Sequence, residues 1–167
     1  MNNKNFLPPL VCGFGAAVIT TVPGVKSLGC CLIVPLAAIL SLYLDHKINK
    51  TELPFRAKNA MILGLLTGIF AAVFASSFDI LMTYIFHSND FVQTLPQTEA
   101  LVRHYKLGLL LNQTMGMMKQ MSSDIQQTGF SLFYTVGIFF SNFIVNAIFG
   151  TLGGLLGITF INKRVQK

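Results

Sequence analysis

The chain has 167 residues, 53% of them hydrophobic and 11% charged, with a net charge of +6 and a mean hydropathy of +0.63. Water-soluble domains carry about 25% charged residues, so the composition excludes an ordinary soluble domain. No basic stripe on a polar module points to nucleic acid either. Stretches 28–44, 60–86 and 130–161 are nearly free of charge, and the strongest exceed the roughly 18 apolar residues that mark a transmembrane helix. The sequence therefore reads as an all-α integral membrane protein. It predicts a four-helix bundle forming one membrane domain over 1–167, with an extracytoplasmic amphipathic helix between the third and fourth helices.

The first helix is predicted over about 8–22 and is stopped by Pro23 and Gly24. Lys4 precedes the apolar run 10–22, but the charged region is thin, prolines occupy positions 8 and 9 and no convincing small-x-small cleavage site precedes Lys26. A retained helix is thus expected rather than a cleaved signal. The turn PGVKS (23–27) leads to a second helix over about 28–44, with Pro35 inside it. Both helices are short for a hydrocarbon layer of roughly 30 Å at about 1.5 Å per residue. Spanning is favoured over a re-entrant hairpin, because a lipid-exposed turn leaves backbone polar groups unsatisfied.

The three cysteines do not make a disulfide framework. Cys12 lies toward the start of the first helix, whereas Cys30 and Cys31 open the second, which puts them at opposite membrane faces. A bridge needs Cα atoms about 5.5 Å apart. Buried apolar thiols are expected; a metal or redox role for the Cys30–Cys31 pair is the alternative, and no histidine or second CxxC lies nearby in sequence to support it.

A polar loop, 45–59, precedes a third helix over about 57–87; the fourth covers about 130–161. Each of these two is long enough to tilt or project beyond the lipid. The loop carries Lys47, Lys50, Arg56 and Lys58, and the C-terminal tail carries Lys163, Arg164 and Lys167. With Lys4, eight of the twelve basic residues fall on one side if all four helices span. The positive-inside rule then places both termini in the cytoplasm and 88–129 outside. The basic rim favours anionic lipid headgroups.

The outer segment has helical periodicity from Pro96 onward, over about 97–127, and Gly129 is a plausible stop. His104, Leu111, Met115, Met118 and Ile125 share one face, while Lys106, Gln113, Gln120 and Gln127 form a polar line at a spacing of seven. That pattern is an amphipathic helix. Its methionines (Met115, Met117, Met118, Met121) suit either packing over its own bundle or an adaptable partner surface.

Small residues run along the third and fourth helices. Ala60, Gly64, Gly68, Ala72 and Ser76 fall four apart; Asn146, Gly150 and Gly154 do the same, with Gly153 and Gly157 beside them. Gly13 and Ala17 add a shorter strip on the first helix. Lipid offers no hydrophobic drive between helices, so close backbone approach through small residues supplies the packing. The strips predict a tight third–fourth helix pair or self-association.

Asp79 ends the third helix's strip, and Thr83 and His87 follow at four-residue steps. A carboxylate at membrane depth is costly unless paired or wetted. Asp79 is expected to be an anchor hydrogen-bonded to Thr83 or His87. The competing expectation is an ion- or proton-linked group in a transport path, with Asn142 and Asn146 as further ligands. The apolar inner halves of both helices argue against a path through one protomer.

No GxSxG, HExxH, P-loop or dinucleotide fingerprint occurs. The histidines (46, 87 and 104) are scattered over both sides. No catalytic residue, cofactor or metal is expected. The segments PGVKSLGCCLIV, YLDHK and GLLTGIFAAVF resemble a group of small bacterial four-helix membrane proteins, the DUF4199 family, a domain of unknown function. Those proteins share a proline turn, paired cysteines opening the second helix and glycine-rich third and final helices. The resemblance covers most of the chain outside 88–129 and implies a bacterial inner membrane and four helices. It brings no activity and no site residues. The expected function is a non-enzymatic packing, accessory or self-associating subunit of a membrane complex, possessing the lipid bilayer and a homo-oligomer or larger complex as partners.

Overall fold

The computed structural model describes residues 6–22, 25, 29–49, 56–104 and 108–165. Among them there is no strand. The helices are α1 (Leu7–Thr20), α2 (Val34–Asn49), α3 (Ala57–Phe86), α4 (Asp90–His104), α5 (Gly108–Thr128) and α6 (Leu132–Val165); a π-helical turn, Gly29–Ile33, leads into α2.

Among the described residues three helices, not four, are long and apolar enough to cross a membrane: Cys31–Ile48, Ala57–Phe86 and Leu132–Asn162. The exception is α1, whose 14 residues extend only about 21 Å. Its ends explain its length. Pro8 and Pro9 occupy the first turn, where the missing N–H has no intrahelical partner to lose. At the other end the Thr20 and Thr21 hydroxyls turn back onto the carbonyl oxygens of Ala17 (2.8 Å) and Val18 (2.6 Å).

The second helix also departs from expectation, because α2 runs on to Asn49 through residues read as loop. His46 and Lys47 fall in its last turn, where cationic groups meet the negative end of the helix dipole. The π-helical turn before it ends two residues ahead of Pro35, which has no N–H to offer the carbonyl four residues back.

The chain divides into two compact units, 1–78 with 139–167 and 79–138. In the first unit small residues make up much of the core, alongside Val34, Leu42, Leu63 and Ile161. Cys12, Ala16, Val34, Ala37 and Ala71 form one cluster, and Leu42, Ala60, Leu63 and Ile161 another. Large apolar side chains such as Leu36, Leu40, Leu152, Leu156 and Phe160 are exposed instead. Small side chains inside and large ones outside fit a protein whose solvent is hydrocarbon.

In the second unit the single amphipathic helix expected from Pro96 is two helices, α4 and α5. The helix starts earlier because Asn89 caps it: the Val92 N–H donates to Asn89 Oδ1 at 2.9 Å. Pro96 consequently lies inside α4. Leu95, Met115 and Ile125 are buried, and Lys119 Nζ meets Glu99 Oε1 at 2.7 Å. Gln113, Gln120 and Gln127 are exposed, as is Met117, while Met118 and Met121 are half-buried. Lys106 and the side chains of Cys30, His104 and Leu111 lie outside the described residues.

Candidate functional site

Glycine permits what the first unit does with α3 and α6. Gly64 and Gly68 lie against Gly150, Gly154 and the Asn146 carbonyl. A Cβ at Gly64 would sit 2.9 Å from Gly154 Cα, and one at Gly150 would sit 2.9 Å from Gly68 Cα. One at Gly68 would run into the Asn146 carbonyl oxygen. The obstructing atoms are backbone, so no rotamer change relieves them. Ala72 and Ser76 continue the strip and are buried.

The second glycine strip of α6 serves a different helix. A Cβ on Gly153 would lie 2.5 Å from Pro35 Cα and 2.6 Å from its carbonyl oxygen. Gly157 lies beside Leu42 and Ile39. The interleaved strips in GTLGGLLG thus take α3 on one side and α2 on the other. Gly13 of α1 completes the set, with its Cβ position 2.8 Å from the Thr67 carbonyl.

Several polar groups on α3 and α6 in this unit close on one another or on their own helix. Asn142 Nδ2 donates to Ser76 Oγ at 3.0 Å, and Asn146 Nδ2 donates to the Asn142 carbonyl at 2.8 Å. Thr67 and Thr151 donate to the carbonyl oxygens of Leu63 and Ala147. The Ser76–Asn142 bond joins α3 to α6. Such bonds in lipid are worth about 0.6 kcal/mol on average. Ser76→Ala and Asn142→Leu are each expected to cost about 1 kcal/mol of stability. In a double-mutant cycle in micelles their effects should fall short of additive; strict additivity would mean the bond contributes nothing.

The Asp79–Thr83–His87 series belongs to the second unit, and most of it closes the end of α3. Thr83 Oγ1 donates its one proton to the Asp79 carbonyl oxygen (2.7 Å), so it does not bridge to the carboxylate. It accepts from Asn89 Nδ2 at 3.2 Å. The His87 N–H donates to the Thr83 carbonyl (2.9 Å), and His87 itself, exposed, turns the chain at φ 52°. Asp79 is half-buried and engaged in an interaction of its own. Asn142 and Asn146 have their amide groups in the α3–α6 seam.

Two features of α2 escape the sequence reading. Asp45 is only 4% exposed, and Ser41, one turn before it, is fully buried with no partner for its hydroxyl. Val34, Ala38, Ser41 and Asp45 recur at four, three and four residues, a legible helix face cut short by starting the loop at 45. Asp45 too has a partner. Of the cysteines, Cys12 is a buried free thiol and Cys31 is exposed. No group of three or more His, Cys, Asp or Glu gathers among the described residues.

No protein family, curated protein or solved structure matches the chain. The resemblance carried by PGVKSLGCCLIV and GLLTGIFAAVF rests on those residues alone.

Proposed function

We propose that the chain is a small multi-pass protein of the bacterial inner membrane that acts without enzymatic chemistry, as a packing or accessory subunit that self-associates or joins a larger complex. The observation that carries this reading is the closed seam: Gly64 and Gly68 against Gly150 and Gly154, with Asn142 bonded to Ser76. The Ser76 and Asn142 side chains are used to hold α3 to α6. Because the glycine strips are occupied within the chain, self-association uses the outer face of α6. There Val136, Phe140, Ile144, Ile148, Leu152, Leu156 and Phe160 are exposed at a strict spacing of four. The competing reading, a transporter component using Asp79, is tested alongside it. In proteoliposomes, cross-linking is expected to yield a discrete oligomer or a co-purifying partner, with no ion flux. Flux abolished by Asp79→Asn would overturn the proposal.

Orientation follows from the basic residues. On the positive-inside rule we assign 47–58 and 163–167 to the cytoplasmic side and 113–120 to the outside. The short α1 governs only the N-terminus, proposed to be cytoplasmic like the C-terminus. On a cysteine-free background, single cysteines at Lys47 or Lys58 should resist an impermeant thiol reagent in whole cells. One at Gln120 should react. Labelling at 47 or 58 from outside would reverse the assignment.

A further inference from the structure

The first unit carries nine of the twelve Lys and Arg residues but only two of the six acids. Its packing gathers part of that charge at one end. The Leu42, Ala60, Leu63 and Ile161 cluster holds together the end of α2, the start of α3 and the end of α6. Lys47, in the last turn of α2, and Arg56 and Lys58, at the start of α3, are all exposed there. Asp45, the acid nearest to them in α2, is buried and already partnered, so it does not offset them at the surface.

Folding alone does not account for these charges. Arg56 and Lys58 stand at the end of α3 where the helix dipole is already positive, and its first turn holds no acid. The same helix ends expose apolar side chains a few residues along the chain from the cations: Tyr43 and Ile48 around Lys47, and Met61 after Lys58. A soluble anion needs no such apolar neighbours, and an acidic protein segment would not explain their place on membrane-facing helices. Cations above exposed apolar side chains fit an amphiphile with a negative head.

We infer that the α2–α3 rim, through Lys47, Arg56 and Lys58, is a binding surface for anionic phospholipid headgroups, with Tyr43, Ile48 and Met61 against the adjoining acyl chains. The inference rests on the membrane reading above. A basic side chain near an anionic membrane surface contributes about a five-fold preference. Removing three should therefore weaken binding on the order of a hundred-fold.

The test titrates detergent-solubilised full-length protein with short-chain phosphatidylglycerol, short-chain phosphatidylcholine or inorganic phosphate. Phosphatidylglycerol is expected to bind far more tightly than phosphatidylcholine, and its affinity should fall with salt. K47Q/R56Q/K58Q should lose that preference while keeping the wild-type melting temperature in detergent alone. Each single variant should lose part of it, which tests the rim even if the triple variant is unstable. Equal affinity for the two lipids, a preference untouched by the substitutions, or equally tight binding of inorganic phosphate would overturn the inference. A protein that stays soluble and folded with no detergent would overturn the membrane reading itself.

Discussion

Gly68→Leu is expected to prevent α3 and α6 from closing and to cost at least about 3 kcal/mol, the upper part of the range for an overpacked core. The reason is what a side chain would meet. A Cβ at 68 runs into the Asn146 carbonyl oxygen and would lie 3.3 Å from Ala147 Cα, so the helices must separate to admit it. Separation also carries Asn142 away from Ser76 and loosens Gly64 from Gly154. Gly154→Leu should behave in the same way, since its Cβ position meets the Ala60 carbonyl and lies 3.1 Å from Gly64 Cα. Two controls isolate the seam. Val73→Leu lies on an exposed face of α3 and should be mild. Gly15→Ala, in α1 with nothing within 4 Å of its Cβ position, should be neutral or stabilising by up to about 1 kcal/mol. Denaturation in mixed micelles reads all four. Wild-type stability in both Gly68→Leu and Gly154→Leu would mean that the strips are not the contact surface.

Residues whose role is to be small are easy to find in a sequence, because their spacing is the contact. Ala60, Gly64 and Gly68 recur every fourth residue, and the helix geometry puts them on one seam before any partner is known. What the spacing leaves open is which helix receives each strip. Gly153 and Gly157 differ from Gly150 and Gly154 by a fraction of a turn, yet they meet α2 rather than α3.

Helix ends are harder to read at a membrane surface, where charge marks the edge of the lipid and not the end of the helix. Asp45, His46 and Lys47 look like a loop by polarity but form the last turns of α2, with Asp45 turned inward and Lys47 outward. The polar stretch before Pro96 likewise hides the true start of α4 at Asp90. Asn89, immediately before Asp90, is the capping residue, and its signal was present in the sequence. Asp79, Thr83 and His87 share a helix face by spacing. Spacing does not reveal that the hydroxyl of Thr83 prefers the backbone carbonyl one turn back, which is always within its reach.

The second large effect is expected at Gly129. Gly129→Ala should destabilise the second unit by about 2 kcal/mol or more, combining the cost of a left-handed residue with a backbone clash. Gly129 has φ +73°, and its N–H donates to the Ile125 carbonyl at 2.8 Å, closing the end of α5. Its Cβ position lies 2.7 Å from the Tyr84 carbonyl oxygen and 3.1 Å from Tyr84 Cα, so a methyl group there would push the α5–α6 junction away from the end of α3. Gly116, also in this unit, provides the contrast: nothing lies within 4 Å of its Cβ position, and Gly116→Ala should be harmless. His87, the described non-glycine residue at positive φ, adds a test of opposite sign. His87→Gly should relieve left-handed strain and cost little packing, since the side chain is exposed. Hydrogen exchange in nanodiscs distinguishes these effects by place. Gly129→Ala should speed exchange in α4, α5 and the first turn of α6 while leaving residues 60–72 and 146–157 protected. Unchanged exchange across 88–135 would show that the chain tolerates a side chain at 129, and that the close approach to Tyr84 does not hold the second unit together.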